Sequence, residues 1–364
     1  MSKVAIVYLI WSDEPKKYLS RALLGIAAQT YDKENTHLLV VYNSHKPEEK
    51  SQINFIHEEV EKNKINLPVV TVLEQEKNLG FSGGNNLGMK WAVDNGFDYV
   101  FLHNADGYLA DRTIEQLVQV AEADKNICQL QPLILLHPET DLINSAGNNW
   151  QYMGIGYCDK FRKKRGEVFL PKVKSVGYIS GAATLLRTDL LKQFGYWNED
   201  IFLYHEDTEY SWRLKMKGFT TVLVSDAVFY HIYEFKKKNV KKYFWIERNR
   251  HVIDLLLYRW PTLILLLPME VLYNLGLLVV ALRGGWLKEL LNVYTYWIKP
   301  ANWKIWLKVR KKYQGERKLS DRDVLKIAVP AVESGDLVVS EPVNTVANAV
   351  FTFYYFWLKL LVWW

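Results

Sequence analysis

The run Lys3-Val-Ala-Ile-Val-Tyr-Leu-Ile10 decides the fold. It is apolar, rich in β-branched residues and of strand length, without the polar alternation of a half-exposed strand. Such a strand is buried on both faces, as in a parallel sheet. Working outward, residues 11–15 form a loop and residues 17–29 a helix that turns Leu19, Leu23, Leu24 and Ile26 inward. His37-Leu-Leu-Val-Val-Tyr42 is a second strand and Pro68-Val-Val-Thr-Val-Leu73 a third, with a charged helix from Pro47 to about Asn63 between them. Strands separated by helices of this length are βαβ units. They predict a parallel sheet with ligands bound beyond the strands' C-terminal ends.

The 364 residues suffice for one large or two modest domains with a real core. Hydrophobic residues make up 49% and aromatics 14%, the latter gathered towards the C-terminal half. A net charge of +6 suits phosphate-bearing ligands or an anionic membrane face. No nucleic-acid-binding motif is present, so nucleic acid is not an expected partner. Cys128 and Cys158 form neither a CxxC pair nor a metal framework, which points to a reducing, cytosolic compartment. The N-terminal run lacks the longer apolar core and cleavage site of a signal peptide.

Three further stretches carry chemistry. Asn78-Leu-Gly-Phe-Ser-Gly-Gly-Asn-Asn-Leu-Gly88 reads as a glycine-rich turn leading into a helix over residues 89–95. Its glycines let backbone pass near a ligand, and the helix start offers N–H groups to anions; a tight loop with no ligand reads equally well. No Gly-Lys-Ser/Thr follows, which excludes a Walker A loop. A fourth strand, residues 99–103, ends in Asn104-Ala105-Asp106, hard oxygen ligands suited to Mg²⁺ or Mn²⁺ carrying a diphosphate. An Asx turn would use the same residues.

The third stretch runs from Asp200 to Arg213 and sets Asp200, Glu206, Asp207 and Glu209 among aromatics. A helix start at Glu206 or Asp207 places a carboxylate among free backbone N–H groups. At the mouth of a pocket it would take a proton from a substrate hydroxyl; an N-cap with a surface carboxylate cluster is the plainer alternative. Between these stretches, residues 129–136 and 176–187 read as buried strands, residues 144–150 as a turn into a hairpin, and residues 161–165 as a basic, solvated loop.

Taken together, NLGFSGGNN (78–86), HNADGYL (103–109), residues 180–218 and His231 resemble family 2 glycosyltransferases, in particular the rhamnosyltransferase-like and galactofuranosyltransferase-like branch. The resemblance covers about the first 250 residues. It implies an α/β fold of the GT-A type: a nucleotide-sugar-binding domain with a mostly parallel central sheet over residues 1–250, followed by a C-terminal helical, membrane-associating region. It also implies donor contacts from Asn43, Asn78, Gly80, Phe81, Gly83 and Asn85, from Asn104, Ala105 and Asp106, and from Gly181 beneath the donor sugar. Asn104-Ala105-Asp106 takes the place of the family's DxD motif with Asn in first position. Asp106 is therefore the main metal ligand, His231 a second and Asn104 a weaker contact, with Mn²⁺ or Mg²⁺ as cofactor. Similar enzymes carry an Asp near the end of the second strand, where this chain has Asn43, leaving UDP- and dTDP-linked donors both open. Asp207 maps onto the catalytic base and Glu206 onto its acidic neighbour, with Phe202 and Tyr204 walling the acceptor side and Arg248 at the rim.

Beyond residue 250 the chain changes character. Lys236-Lys-Lys-Asn-Val-Lys-Lys242 is a solvated helix face or a contact for lipid phosphates. Residues 251–312 are apolar, but Pro261, Pro268 and Glu270 predict a broken, interfacial or re-entrant pair of helices rather than one spanning helix. Residues 313–342 are polar and read as a connecting segment, and residues 343–364 as an aromatic helix of membrane-interface composition. A packed helical core or a homo-oligomer interface would give much the same composition. The resemblance then implies an inverting transferase at the cytoplasmic face of the cell membrane, attached peripherally or monotopically. It would build cell-surface polysaccharide on a polyprenyl-diphosphate-linked glycan. A sugar-phosphate nucleotidyltransferase or a non-catalytic GT-A-like binding subunit are the rival readings.

Overall fold

The computed structural model describes residues 1–44, 51–233, 240–333 and 341–364. The expected start of the second helix at Pro47 and residues 236–239 of the basic run lie outside the described residues. Four parallel strands, β1 (Val4–Ile10), β2 (Thr36–Asn43), β3 (Val69–Gln75) and β4 (Tyr99–Asn104), lie in the spatial order β3-β2-β1-β4. All seven residues of β1 are buried, as its composition requires. Helices α1 (Lys16–Ala27), α2 (Ser51–Asn63) and α3 (Gly80–Asp94) make the crossovers. The chain steps outward from β1 to β3 and returns to β4 on the other side of β1. The strand order therefore reverses between the C-terminal ends of β1 and β4, where sheets of this kind leave a crevice for ligands.

The second half of the sheet is mixed. Its strands are β5 (Gly107–Leu109), β6 (Ile127–Leu136), β7 (Ile143–Ser145), β10 (Val173–Ser175), β11 (Ala183–Arg187) and β12 (Thr220–His231); β8 (Asn148–Trp150) and β9 (Gly156–Cys158) form a separate hairpin. β11 is antiparallel to both β4 and β6, and β12 runs parallel to β6. Helices α4 (Thr113–Ala123), α5 (Thr188–Phe194) and α6 (Glu206–Lys215) cover this half. Of the stretch expected as a long buried strand, residues 183–187 form β11 and Tyr178 makes an isolated bridge to Asn148, whereas residues 220–231 form one strand with a register shift between Val224 and Val228.

The glycine-rich stretch departs from expectation. It is the first two turns of α3, not a loop ahead of a helix. A Cβ on Gly84 would sit 2.7 Å from Leu9 Cδ1, and one on Gly88 would sit 2.3 Å from Val7 Cγ1. The glycines let a helix lie close against β1. Leu24 also departs, being 63% exposed while Leu19, Ala22, Leu23 and Ile26 are buried. At 3.6 residues per turn Leu24 points away from the stripe formed by Leu19, Ala22, Leu23 and Ile26, and so towards solvent.

The remaining helices are α7 (Lys242–Leu257), α8 (Trp260–Gly284), α9 (Leu287–Ile298), α10 (Pro300–Glu316), α11 (Asp321–Ile327) and α12 (Glu341–Leu361). α7 carries the chain through residue 250, and the polar segment 313–342 contains the end of α10 and all of α11. α8 is one continuous 25-residue helix, which corrects the broken pair read from the sequence. Pro261 lies in the first turn, where its missing N–H has no partner to lose. Glu270 is paired with Arg250 of α7 at 2.8 Å, so its charge faces protein instead of interrupting the apolar face. α8 is long and apolar enough to cross a membrane, with mean hydropathy 2.2. Trp150, Trp212, Tyr258, Leu266, Met269, Phe351 and Tyr355 share one cluster that joins α8 and α12 to the sheet domain.

Candidate active site

The candidate site lies at the end of β4, the start of β11, the end of β12 and the start of α6. Asn104 closes β4, and its backbone N–H donates to the Ala182 carbonyl at 2.9 Å, tying β4 to the residue ahead of β11. The next carbonyl, of Ala105, accepts the Tyr8 hydroxyl of β1 at 3.0 Å. The chain then turns into β5, which pairs with β12 so that Gly107 faces His231. A Cβ on Gly107 would lie 2.1 Å from the Phe229 ring, so only glycine permits this approach.

That pairing brings together Asp106 and His231, 125 residues apart in the chain, with Oδ1 and Nε2 at 2.9 Å. The Asn104 amide donates to the same Oδ1 at 2.6 Å, and the Asn144 side chain holds the far nitrogen of His231, Nδ1, at 2.8 Å. Burial would raise the Asp106 carboxyl, but the charge and hydrogen bond of His231 outweigh it and hold the group below its ordinary range. Among the described residues no group of three or more His, Cys, Asp or Glu side chains is placed to share a metal ion. Asp106 and His231, with the Asn104 amide oxygen, nonetheless suit a divalent cation whose other ligands are diphosphate oxygens and water. An imidazole fixed through its second nitrogen, as Asn144 fixes His231, is the usual support for such a ligand.

On the other side of the Gly181-Ala182 pair stands Asp207, in the first turn of α6. Its Oδ2 accepts the Gly181 N–H at 2.9 Å; its Oδ1 accepts the Thr208 N–H at 2.6 Å and the Thr208 hydroxyl at 3.2 Å. Burial pushes its carboxyl above the usual range, and these hydrogen bonds limit the rise. Part of its surface stays open to solvent. Glu206 is 5% exposed, and its Oε2 has no hydrogen-bond partner among the described residues. Burial, then the Asp207 charge, raise it well above an ordinary glutamate. Burial disfavours the charge on both acids, and on Glu206 the neighbouring Asp207 charge adds to it.

The expected donor contacts divide. Phe81 and Trp197 pack 5.8 Å apart beside Gly181. Asn43 has no free edge for a base: it is buried, its Nδ2 donates to Asn78 and Gly80, and its Oδ1 accepts the Leu79 N–H at 2.9 Å. Asn78 Oδ1 in turn accepts the Gly80 N–H at 2.8 Å, so side chains take up the Leu79 and Gly80 N–H groups at the start of α3. Asn85 bonds the Phe81 carbonyl within the helix, and a Cβ on Gly83 would meet Leu79. Arg248, expected at the rim, is 2% exposed and donates to the carbonyls of Asp200 and Ile201. Asn144 and Thr208 went unread in the sequence. Thr208 adjoins the acidic pair, but nothing at 87 residues' remove from His231 marks Asn144.

This mostly parallel sheet, with acidic groups gathered at the reversal of strand order and an apolar C-terminal helix, is the GT-A-like α/β fold. Residues 4–252 match the family described as Glycosyltransferase like family 2, and the chain belongs to that family. The low-salt glycan biosynthesis hexosyltransferase Agl10 of Haloferax volcanii is 25% identical over 143 residues, 39% of this chain and 45% of that protein. The crystal structure of GalNAc-T7 with UDP, GalNAc and Mn²⁺ superposes with a TM-score of 0.53 at 16% identity, covering 68% of this chain and 48% of that one. The chain thus spans about half the length of these relatives. The crystal structure of S. aureus TarS 1-349 in complex with UDP covers 98% of this chain and 90% of its own, with a TM-score of 0.48 at 15% identity.

Proposed function

We propose that this protein is an inverting glycosyltransferase that moves a sugar from a nucleotide-diphosphate donor to an acceptor hydroxyl. The observation that carries the reading is the Gly181-Ala182 hinge between the two acidic centres. One residue's N–H holds Asp207, and the next residue's carbonyl holds the strand end that bears Asn104 and Asp106. Family membership and the Mn²⁺ and UDP in the GalNAc-T7 structure support a metal-assisted, nucleotide-sugar reaction.

Asp106, His231 and Asn104 would hold Mn²⁺ or Mg²⁺, which neutralises charge on the departing nucleoside diphosphate. Asp207 accepts the acceptor hydroxyl's proton as that oxygen attacks the anomeric carbon from the face opposite the leaving group. Gly181 and Thr208 fix its carboxylate plane during this transfer. A carboxyl raised by burial is, once ionised, a stronger base than an ordinary aspartate, which suits the task. Burial and the Asp207 charge both disfavour ionisation of Glu206, which limits the negative charge gathered in the pocket.

The acceptor we propose is a polyprenyl-diphosphate-linked glycan of cell-surface polysaccharide synthesis, and the donor a UDP- or dTDP-linked sugar. The support is the outward apolar surface: Ile264, Leu267, Val271, Leu275 and Leu282 of α8 and Phe353, Phe356 and Leu360 of α12 are all more than half exposed. Such a surface suits the cytoplasmic leaflet of a membrane, where a lipid-linked acceptor would be presented.

The test is a thermal-shift screen of nucleotide sugars with Mn²⁺, followed by product analysis with the best binder. Nucleoside diphosphate and an inverted glycoside are expected. Release of inorganic diphosphate would instead make the protein a nucleotidyltransferase, and absence of both binding and turnover would leave a non-catalytic subunit.

A further inference from the structure

The segment that leads into the acidic pair is bent in a way few side chains tolerate. Phe202, Tyr204 and His205 have φ of 64°, 62° and 69°, three non-glycine residues in the left-handed region within four positions. Such a conformation persists only where surrounding groups hold it. Two adjacent residues of α7 do the holding. The Arg248 guanidinium donates to the carbonyls of Asp200 and Ile201 at 3.0–3.2 Å, and the Asn249 Nδ2 is aimed at those of Ile201, Leu203 and Tyr204 at 2.7–3.2 Å. Both side chains are buried, at 2% and 0% exposure. Arg248 is boxed by the rings of Trp245, Tyr296 and Trp306, all within 5.6 Å of its guanidinium carbon. The bent segment also meets the other side of the crevice, because a Cβ on Gly80 would fall 2.8 Å from the Phe202 ring.

We infer that Arg248 and Asn249 are positioning residues for transfer: they grip the backbone of residues 200–204 so that Asp207 is presented to the acceptor. The inference rests on the reading of Asp207 as the base. Every one of these hydrogen bonds ends on a main-chain carbonyl of the bent segment, and that segment enters α6 one residue before Glu206. Were the grip lost, the strained residues would relax towards ordinary backbone angles. The first turn of α6 would rotate with them, taking Asp207 out of line with the Gly181 N–H.

The test uses the full chain with Asn249→Leu, nearly equal in volume but unable to donate, and Arg248→Lys, which keeps the charge but loses the fork. Both should lower kcat at least tenfold while leaving the donor KM within about twofold, because Asp106, Asn104 and His231, which would hold the donor's diphosphate, take their hydrogen bonds from one another and from Asn144, not from the bend. Amide exchange in residues 202–208 should accelerate at least tenfold while β1 and α3 are unchanged. Adding His205→Asn, a residue that adopts the left-handed region more readily, should recover at least threefold of the kcat lost in Asn249→Leu. Unchanged exchange at residues 202–208, or wild-type kcat in folded Asn249→Leu, overturns the inference. A protein that transfers no sugar at all sinks the reading of Asp207, while the exchange measurement still decides whether Arg248 and Asn249 hold the bend.

Discussion

Replacing Gly88 by alanine separates the two roles open to the glycine-rich segment, close packing and ligand approach. The new methyl carbon would stand 2.3 Å from Val7 Cγ1, 2.8 Å from Cγ2 and 3.1 Å from Cβ. Carbon atoms in contact keep about 3.5–4.0 Å, so α3 must lift off β1 by roughly an ångström. Val7 is fully buried in the central strand and cannot swing aside. Overpacking of this kind costs about 1–3 kcal/mol, and three atoms colliding at once put this site at or above the upper end. Alanine returns up to about 1 kcal/mol in helix propensity, leaving about 2 kcal/mol of net destabilisation. For a domain of this size that is a fall in Tm of about 4–8 °C. Thermal unfolding followed by circular dichroism measures it. Gly315→Ala in α10, where nothing lies within 4 Å of the added carbon, is the control and should be neutral or stabilising by up to about 1 kcal/mol. If Gly88→Ala melts with the wild type but loses affinity for nucleotide sugars, the packing account fails and the glycines serve the ligand.

Asp207→Asn should retain donor binding and lower kcat by about 10²–10⁴, the usual contribution of a positioned general base; turnover near the wild-type rate would remove Asp207 from that role. Chelation should suppress transfer and added Mn²⁺ or Mg²⁺ restore it, whereas rates indifferent to metal would leave Asp106 and His231 without a cation to hold. Glu206 has its folded-state carboxyl raised, so the native state binds the extra proton. Its contribution is full below the ordinary glutamate range and is lost as pH climbs through the raised value. Glu206→Gln should therefore flatten the decline of stability at rising pH, and identical wild-type and variant urea midpoints across that range would refute the assignment. Phe353, Phe356 and Leu360 are 76%, 56% and 83% exposed, so changing all three to serine should spare the fold. At about 1.5 kcal/mol or more per side chain, vesicle binding should fall roughly a thousandfold or further, and unaltered flotation with anionic liposomes would argue against a lipid-facing α12.

The strands and their order of helices were legible because their signals are local: an unbroken apolar run such as Val4–Ile10 can be buried only on both faces. Asn104 and Asp106 were legible for the same reason, since two residues at the end of a strand share one short stretch of chain. Other readings failed where the deciding contact lay far away. Glu270 looked like a break in α8 until Arg250 was found opposite it. Asn43 looked like a base contact until Leu79, Asn78 and Gly80 were seen to occupy both ends of its amide.

By itself, then, the amino-acid sequence determined the α/β alternation, the strand ends that bear polar groups and the acidic pair at a helix start, all consequences of periodicity and local backbone chemistry. Only the tertiary structure decided which groups meet: Asp106 with His231, Asp207 with Gly181, and the bend at residues 202–205 with Arg248 and Asn249. Those meetings follow from strand register and helix packing across scores of residues, and contacts at such separations leave no trace in the spacing of neighbouring side chains.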